Sequence, residues 1–162
     1  MSEKMKVAVI GCGRIANSAH IPSYRKLDDV EIKYFCDLIP EKAQKSADEY
    51  GSGIVITDYK QALADPEVKA ISVCTPNKDH KFISIDALHA GKHVLAQKPF
   101  VLDLDDGERL VALAEALQPQ EAGQDRGGHR AGRRPAEGDG AVEIPGVHGG
   151  VDLLAQGLVV DR

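Results

Sequence analysis

Short apolar runs rich in β-branched residues alternate with longer stretches patterned at helical spacing, up to about residue 117. Lys6–Ile10 predicts a first strand, and the pattern then predicts a helix over Ile15–Lys26, interrupted near Pro22. Glu31–Cys36 reads as the second strand. Pro40 stands where a first helical turn favours proline, before a helix over Glu41–Tyr50 that Gly51 and Gly53 end. Gly53–Ile56 predicts a short third strand, and Thr57 or Asp58 caps a brief helix through Ala64, closed by Pro66. Val68–Cys74 is a fourth strand. Asp79–Ala90 reads as a helix with Phe82, Ile83, Ile85, Ala87 and Leu88 inward, capped by Gly91. His93–Ala96 is the fifth strand, and Asp103 starts a helix carrying Leu110, Val111, Leu113, Ala114 and Leu117 on one face. Strands alternating with helices imply βαβ units. The fold class is therefore α/β, a doubly wound parallel Rossmann sheet of strand order 3-2-1-4-5, with its ligand crevice at the C-terminal strand ends. The sixth strand is expected to be missing or irregular.

The pattern fails after Leu117. Every lysine lies at or before Lys98 and every aromatic residue at or before Phe100, while residues 118–162 hold ten of the sixteen glycines and five of the eight arginines. Dense Gly, Pro and charge cannot offset the entropy of ordering, so the reading gives a doubly wound α/β domain over 1–117 and a low-complexity, disordered tail over 118–162. Two origins stay open for that tail: a natural linker, or translation in the wrong frame from about Leu117. The codon table permits a one-base shift of Gln118–His129 to encode Ser-Pro-Lys-Lys-Leu-Val-Arg-Thr-Gly-Val-Val-Ile, a β-branched run of the kind a sixth strand needs.

A net charge of −5 argues against a nucleic-acid or anionic-membrane partner, which would call for a basic face. No apolar run approaches the length of a membrane span, and the N-terminus lacks the form of a signal peptide, so the chain reads as cytoplasmic. Cys12, Cys36 and Cys74 are odd in number and lack disulfide or metal-ligand spacing. Each falls at or just past a strand end, where a small half-apolar side chain fills tight space. No metal site is expected.

The chemistry gathers at the strand ends. Lys6–Ile10 runs directly into Gly11-Cys12-Gly13-Arg14-Ile15-Ala16, a G-x-G-x-x-A turn between a strand and a helix. In dinucleotide-binding folds the first glycine permits the turn, the second admits the pyrophosphate, and a small third residue packs helix on strand. The helix N-terminus presents N–H groups and a positive dipole end to the anion. Asp37 closes the second strand 21 positions beyond Ala16, about where the ribose-binding carboxylate of this fingerprint belongs. An ordinary turn aspartate is the alternative.

With Thr75-Pro76-Asn77-Lys78-Asp79-His80 after the fourth strand and Gln97-Lys98-Pro99 after the fifth, residues 4 to 117 resemble the N-terminal cofactor domain of the glucose–fructose oxidoreductase / inositol dehydrogenase (Gfo/Idh/MocA) family. The resemblance implies an NAD(P)-dependent oxidoreductase acting on CH–OH groups, passing hydride between nicotinamide and a sugar, polyol or related hydroxy compound. It implies that Gly11, Gly13, Arg14 and Ile15 hold the pyrophosphate and that Asp37 accepts the adenosine ribose hydroxyls. A carboxylate there repels a 2′-phosphate, so the cofactor is NAD rather than NADP. Thr75, Pro76, Asn77 and His80 would line the nicotinamide ribose beside Gln97. Lys98 matches the lysine of the family's Glu-Lys-Pro, which polarises the reacting oxygen.

Gln97 departs from that motif, supplying hydrogen bonds but no negative charge beside Lys98. The family's catalytic Asp and His, spaced D-x-x-x-H, come from a second domain, and none is expected here. His129 and His148 lie in the tail. The chain is thus read as inactive alone, with substrate bound only in a full-length form. The alternatives are a non-catalytic NAD-binding or interaction module presenting an open sheet edge, with self-association, and a Rossmann-like methyltransferase, in which Lys98-Pro99 would have no task. His20, His89 and His93 are assigned to surface or packing. Thr75-Pro76-Asn77 could also simply end a strand and cap a helix.

Overall fold

The first strand shows why the sheet is covered on both sides. Val7, Ala8, Val9 and Ile10 are all buried, with Val7 and Val9 in one core cluster and Ala8 and Ile10 in the other. A continuous apolar run of this kind suits a parallel strand between two helical layers. In the computed structural model, which describes residues 3–117 and, as backbone, 157–160, the strands are β1 (Met5–Ile10), β2 (Val30–Cys36), β3 (Ile54–Ile56), β4 (Val68–Val73), β5 (His93–Gln97) and β6 (Gly157–Val160). Their order is β3-β2-β1-β4-β5-β6, and the first five run parallel as the sequence predicts. β6 pairs antiparallel with β5, Gln97 opposite Gly157. Regular structure therefore occurs inside the stretch expected to have none, and the edge of β5 expected to stand open is paired. The rest of 118–162, with the expected disorder of the tail, lies outside the described residues.

The first helix begins at residue 14, contains a π-helical segment over Ala16–His20 and ends as α1 (Ile21–Tyr24). The interruption expected near Pro22 takes this form. Pro22 has no N–H for the Ser18 carbonyl and its ring crowds that turn. The Ile21 N–H instead reaches back five residues to the Ala16 carbonyl, and the helix continues. Ala16, Ile21 and Tyr24 meet Val7 and Val9 alongside Ala43 and Ala47 of α2 (Pro40–Tyr50). The opposite layer is α3 (Lys60–Ala64), α4 (Asn77–His89) and α5 (Leu104–Leu117). It places Ala62, Ile83, Ala87, Leu88, Leu110 and Ala114 against Ala8 and Ile10.

Caps follow local chemistry. Asp58, not Thr57, accepts the Lys60 N–H (2.9 Å), and the Asp103 carboxylate accepts the Asp105 N–H (2.9 Å). The helix expected from Asp79 starts two residues sooner, directly after Pro76. Phe82 was expected inward and is 62% exposed, because the buried stripe of α4 runs His80, Ile83, Ser84, Ala87, Leu88 and a neighbour one position off it turns to solvent. Val111 leaves the α5 stripe for the same reason. Among the described residues no helix is long and apolar enough to cross a membrane.

Candidate functional site

Parallel pairing brings the strand exits together: Ile10 lies beside Cys36 and Val73, and Val73 beside Ala96. The backbone continues this past the strands, with Gly11 N–H donating to the Cys36 carbonyl and Cys74 N–H to the Ile10 carbonyl, each at 2.7 Å. Gly11 has φ +91°, and a Cβ there would lie 2.7 Å from the Cys74 carbonyl carbon and 2.8 Å from Thr75 N. Only glycine meets both demands. Around Gly13 the opposite holds, since a Cβ would meet nothing within 4 Å. Nothing in the protein requires a glycine at that position, so its open space suits a ligand approaching the turn.

Asp37 faces this loop. Its Oδ2 accepts the Cys12 N–H and its Oδ1 the Ile39 N–H, both at 2.9 Å. Two amides thus fix the carboxylate, and each oxygen keeps a lone pair for a further donor. Asn17 braces the turn, donating to the Cys12 carbonyl (3.0 Å) and the Gly13 carbonyl (2.9 Å) while accepting from Ser46 of α2 (2.8 Å). Arg14 is exposed and Ile15 half-buried at the helix start.

All three cysteines are free and buried beneath the exits. Burial pushes their thiols up, to about 11 for Cys12 and about 12 for Cys36 and Cys74, so they stay protonated at neutral pH. They fill space here, as the sequence suggests. Among the described residues no group of three or more His, Cys, Asp or Glu could hold a metal ion.

Beyond β4, Pro76 and Asn77 are exposed, and the buried Thr75 hydroxyl has no hydrogen-bond partner in the protein. His80 is fully buried, with Nδ1 2.9 Å from the Pro99 carbonyl and Nε2 2.7 Å from the Thr75 carbonyl. Both ring nitrogens face backbone carbonyls, which only accept, so a ring with a single N–H donates to one of them and only a doubly protonated ring bonds both. Gln97 is also buried, its Oε1 3.2 Å from His20 Nε2, while His20 Nδ1 lies 2.9 Å from Ser72 Oγ. Burial holds the His20 ring below its usual 6.5, with the Gln97 contact opposing in part. The neutral ring then donates from Nε2 to Gln97 and accepts the Ser72 hydroxyl. Lys98 projects from the next position into solvent, and the Lys98–Pro99 peptide is cis.

Asn17 and Ser72 escaped the sequence reading, and His20, assigned there to surface or packing, is buried with partners at both ring nitrogens. The buried positions Ala16, His20 and Tyr24 recur every four residues, a helical stripe that could have marked His20. Against the expectation of none, one D-x-x-x-H does occur after Lys98, at Asp125 and His129. That pair lies outside the described residues.

Fold and loop together define a Rossmann-type nucleotide-binding domain. Residues 5–120 match the family model described as "Oxidoreductase family, NAD-binding Rossmann fold". The chain belongs to that family, the Gfo/Idh/MocA oxidoreductases, as its motifs indicate. It is 32% identical over 116 residues to D-glucoside 3-dehydrogenase of Escherichia coli (strain K12), covering 72% of this chain and 33% of that protein. It is 38% identical over 101 residues to inositol 2-dehydrogenase/D-chiro-inositol 3-dehydrogenase of Lactiplantibacillus plantarum, covering 60% and 28%. Among solved structures it resembles GenD2 from gentamicin A biosynthesis in complex with NAD (TM-score 0.68, 30% identity, 72% of this chain and 33% of that one). It also resembles the 3-ketoreductase KijD10 of Actinomadura kijaniata in complex with NADP and TDP-benzene (TM-score 0.66, 30% identity, 71% and 35%). The chain spans about a third of the length of these relatives.

Proposed function

We propose that this chain is the cofactor-binding part of an NAD-dependent oxidoreductase that transfers hydride between nicotinamide and a sugar, polyol or related hydroxy compound. The observation that carries this reading is the Asp37 carboxylate, held by the Cys12 and Ile39 amides beside a turn that tolerates only glycine at position 11. Three features fit a dinucleotide: the open space at Gly13, the lone pairs left on Asp37, and the unpartnered Thr75 hydroxyl.

The N–H groups of the first turn, at Gly13, Arg14 and Ile15, would face the pyrophosphate. Asp37 would take the adenosine ribose hydroxyls and oppose a 2′-phosphate, favouring NAD over NADP. Thr75, Pro76 and Asn77 would border the nicotinamide half, with Gln97 and His80 acting from behind. The bound cofactor supplies the hydride chemistry. Lys98 would place its ammonium against the reacting oxygen, stabilising charge that develops there. In this reading the stretch matched to the family, residues 5–120, binds the dinucleotide, and substrate recognition is assigned to residues beyond it, so that the matched stretch turns nothing over by itself. Free, buried cysteines suit a reducing compartment, and we place the protein in the cytoplasm.

NADH fluorescence titration tests the reading. The chain should bind NADH more tightly than NADPH, and Asp37→Ala should weaken NADH by about tenfold or more, as expected for loss of charge-assisted hydrogen bonds. A folded preparation with affinity for neither dinucleotide would sink it. A dehydrogenase screen over sugars and polyols should show no turnover.

A further inference from the structure

Lys98 leaves the sheet at the point where the parallel ladder stops. The pairing of β5 with β4 ends at Ala96, and α5 does not begin until Leu104. Two contacts from buried histidines hold the intervening turn, one on each side of the lysine. Before it, the Gln97 amide oxygen meets His20; after it, the Pro99 carbonyl meets His80. The two rings come from different layers, His20 from the first helix and His80 from α4, and both are fully buried.

Each ring spends its second nitrogen on the same place, the C-terminal end of β4. His20 meets the Ser72 hydroxyl, and His80 lies 2.7 Å from the Thr75 carbonyl, so that with a carbonyl at each nitrogen His80 joins the two sides as a double donor. That strand end in turn lies against Gly11, where the Cys74–Thr75 backbone leaves no room for a Cβ. A histidine that merely fills a core needs partners for its nitrogens but gains nothing from this division. Here both rings tie the lysine-bearing turn to the wall of the glycine loop.

We infer that His20 and His80 clamp the Gln97–Pro99 turn from opposite faces of the sheet and are positioning residues for Lys98. The chemical value of the clamp rests on the proposed function, whereas its geometry does not. Gln97 suits the clamp, because an amide oxygen accepts from a ring that burial keeps neutral. A carboxylate in its place would draw a second proton onto His20.

The test reads the unliganded chain first. In the wild-type protein, ring N–H resonances of both histidines should be visible by NMR and protected from exchange with water; rapid exchange at either ring overturns the clamp. Acetylation of Lys98 by acetic anhydride, followed by peptide mass spectrometry with exposed Lys60 as internal reference, gives the second readout. His20→Ala and His80→Ala should each change the Lys98 rate relative to Lys60 by about three- to tenfold, the equivalent of one hydrogen bond. His20→Gln and His80→Gln, which keep a donor, should restore most of it. Unchanged Lys98 rates in folded alanine variants overturn the clamp even if NADH binds. Altered rates in a protein that binds no dinucleotide would leave the clamp standing and remove the proposed function.

Discussion

Gly11 and Gly13 stand two positions apart and meet different constraints, which makes them a sharp pair of substitutions. Gly11→Ala forces a Cβ into the Cys74–Thr75 backbone at a φ that L residues avoid, and should cost about 2 kcal/mol or more of stability. Gly13→Ala meets no protein atom, so the chain should unfold at nearly the wild-type urea concentration and lose NADH affinity instead. Equal destabilisation by both would contradict the assignment of the open space to a ligand. At this scale the sequence was legible where a rule is local. Gly11 and Asp37 could be placed because a turn and a strand end at fixed spacing bring them together. His20 and His80 could not: their partners lie 52 and 77 positions away in one case and 19 in the other, and only the folded sheet makes them neighbours. The same holds for Gln97, read from the motif as a lost charge and found as the acceptor of a buried neutral ring.

Elements were read well because each carries its own signal. β-branched runs fixed the strands, glycine and proline marked their limits, and the π-helical segment arose where Pro22 withdrew an N–H. Inward faces were less legible, since Phe82 and Val111 adjoin buried stripes and differ from their neighbours only by a rotation about the helix axis. Tertiary charge pairing was invisible. Lys33 on β2 reaches Asp65 and Glu67 in the turn before β4, and Lys6 on β1 reaches Glu67 at 2.8 Å, tying β1 and β2 to the start of β4. The Lys33 ammonium holds the Asp65 carboxyl down at about 2, against an ordinary 3.8. An unfolded Asp65 takes a proton first as pH falls, so this contribution is whole above 3.8 and disappears toward about 2. His20 acts in a higher window. Its folded ring resists the proton that the unfolded ring accepts near 6.5, so stability should begin to fall once pH drops below that value. Urea midpoints from pH 8 to pH 2 should decline in two steps, and His20→Gln should remove the upper one alone. A flat profile between pH 6.5 and pH 5 would contradict the buried neutral ring.

At the largest scale the described residues form a sheet closed by helices on both faces, with apolar side chains left outside. Phe82 on α4, Leu102 just before α5 and Leu104 at its first position are 62%, 71% and 77% exposed. Light scattering behind size exclusion should show mass rising with protein concentration as these side chains find copies of themselves. A monomer at every concentration would count against it. The architecture was legible at this scale because alternating strands and helices allow few topologies, whereas β6 was not: Gly157–Val160 lies forty residues past the last clear pattern, in a stretch of unlike composition. One consequence follows from the bare contact between Gly11 and the Cys74–Thr75 backbone. A methyl group at position 11 would therefore press on the exits of β1 and β4 at once, and the two strand ends keep their spacing only while that position stays bare.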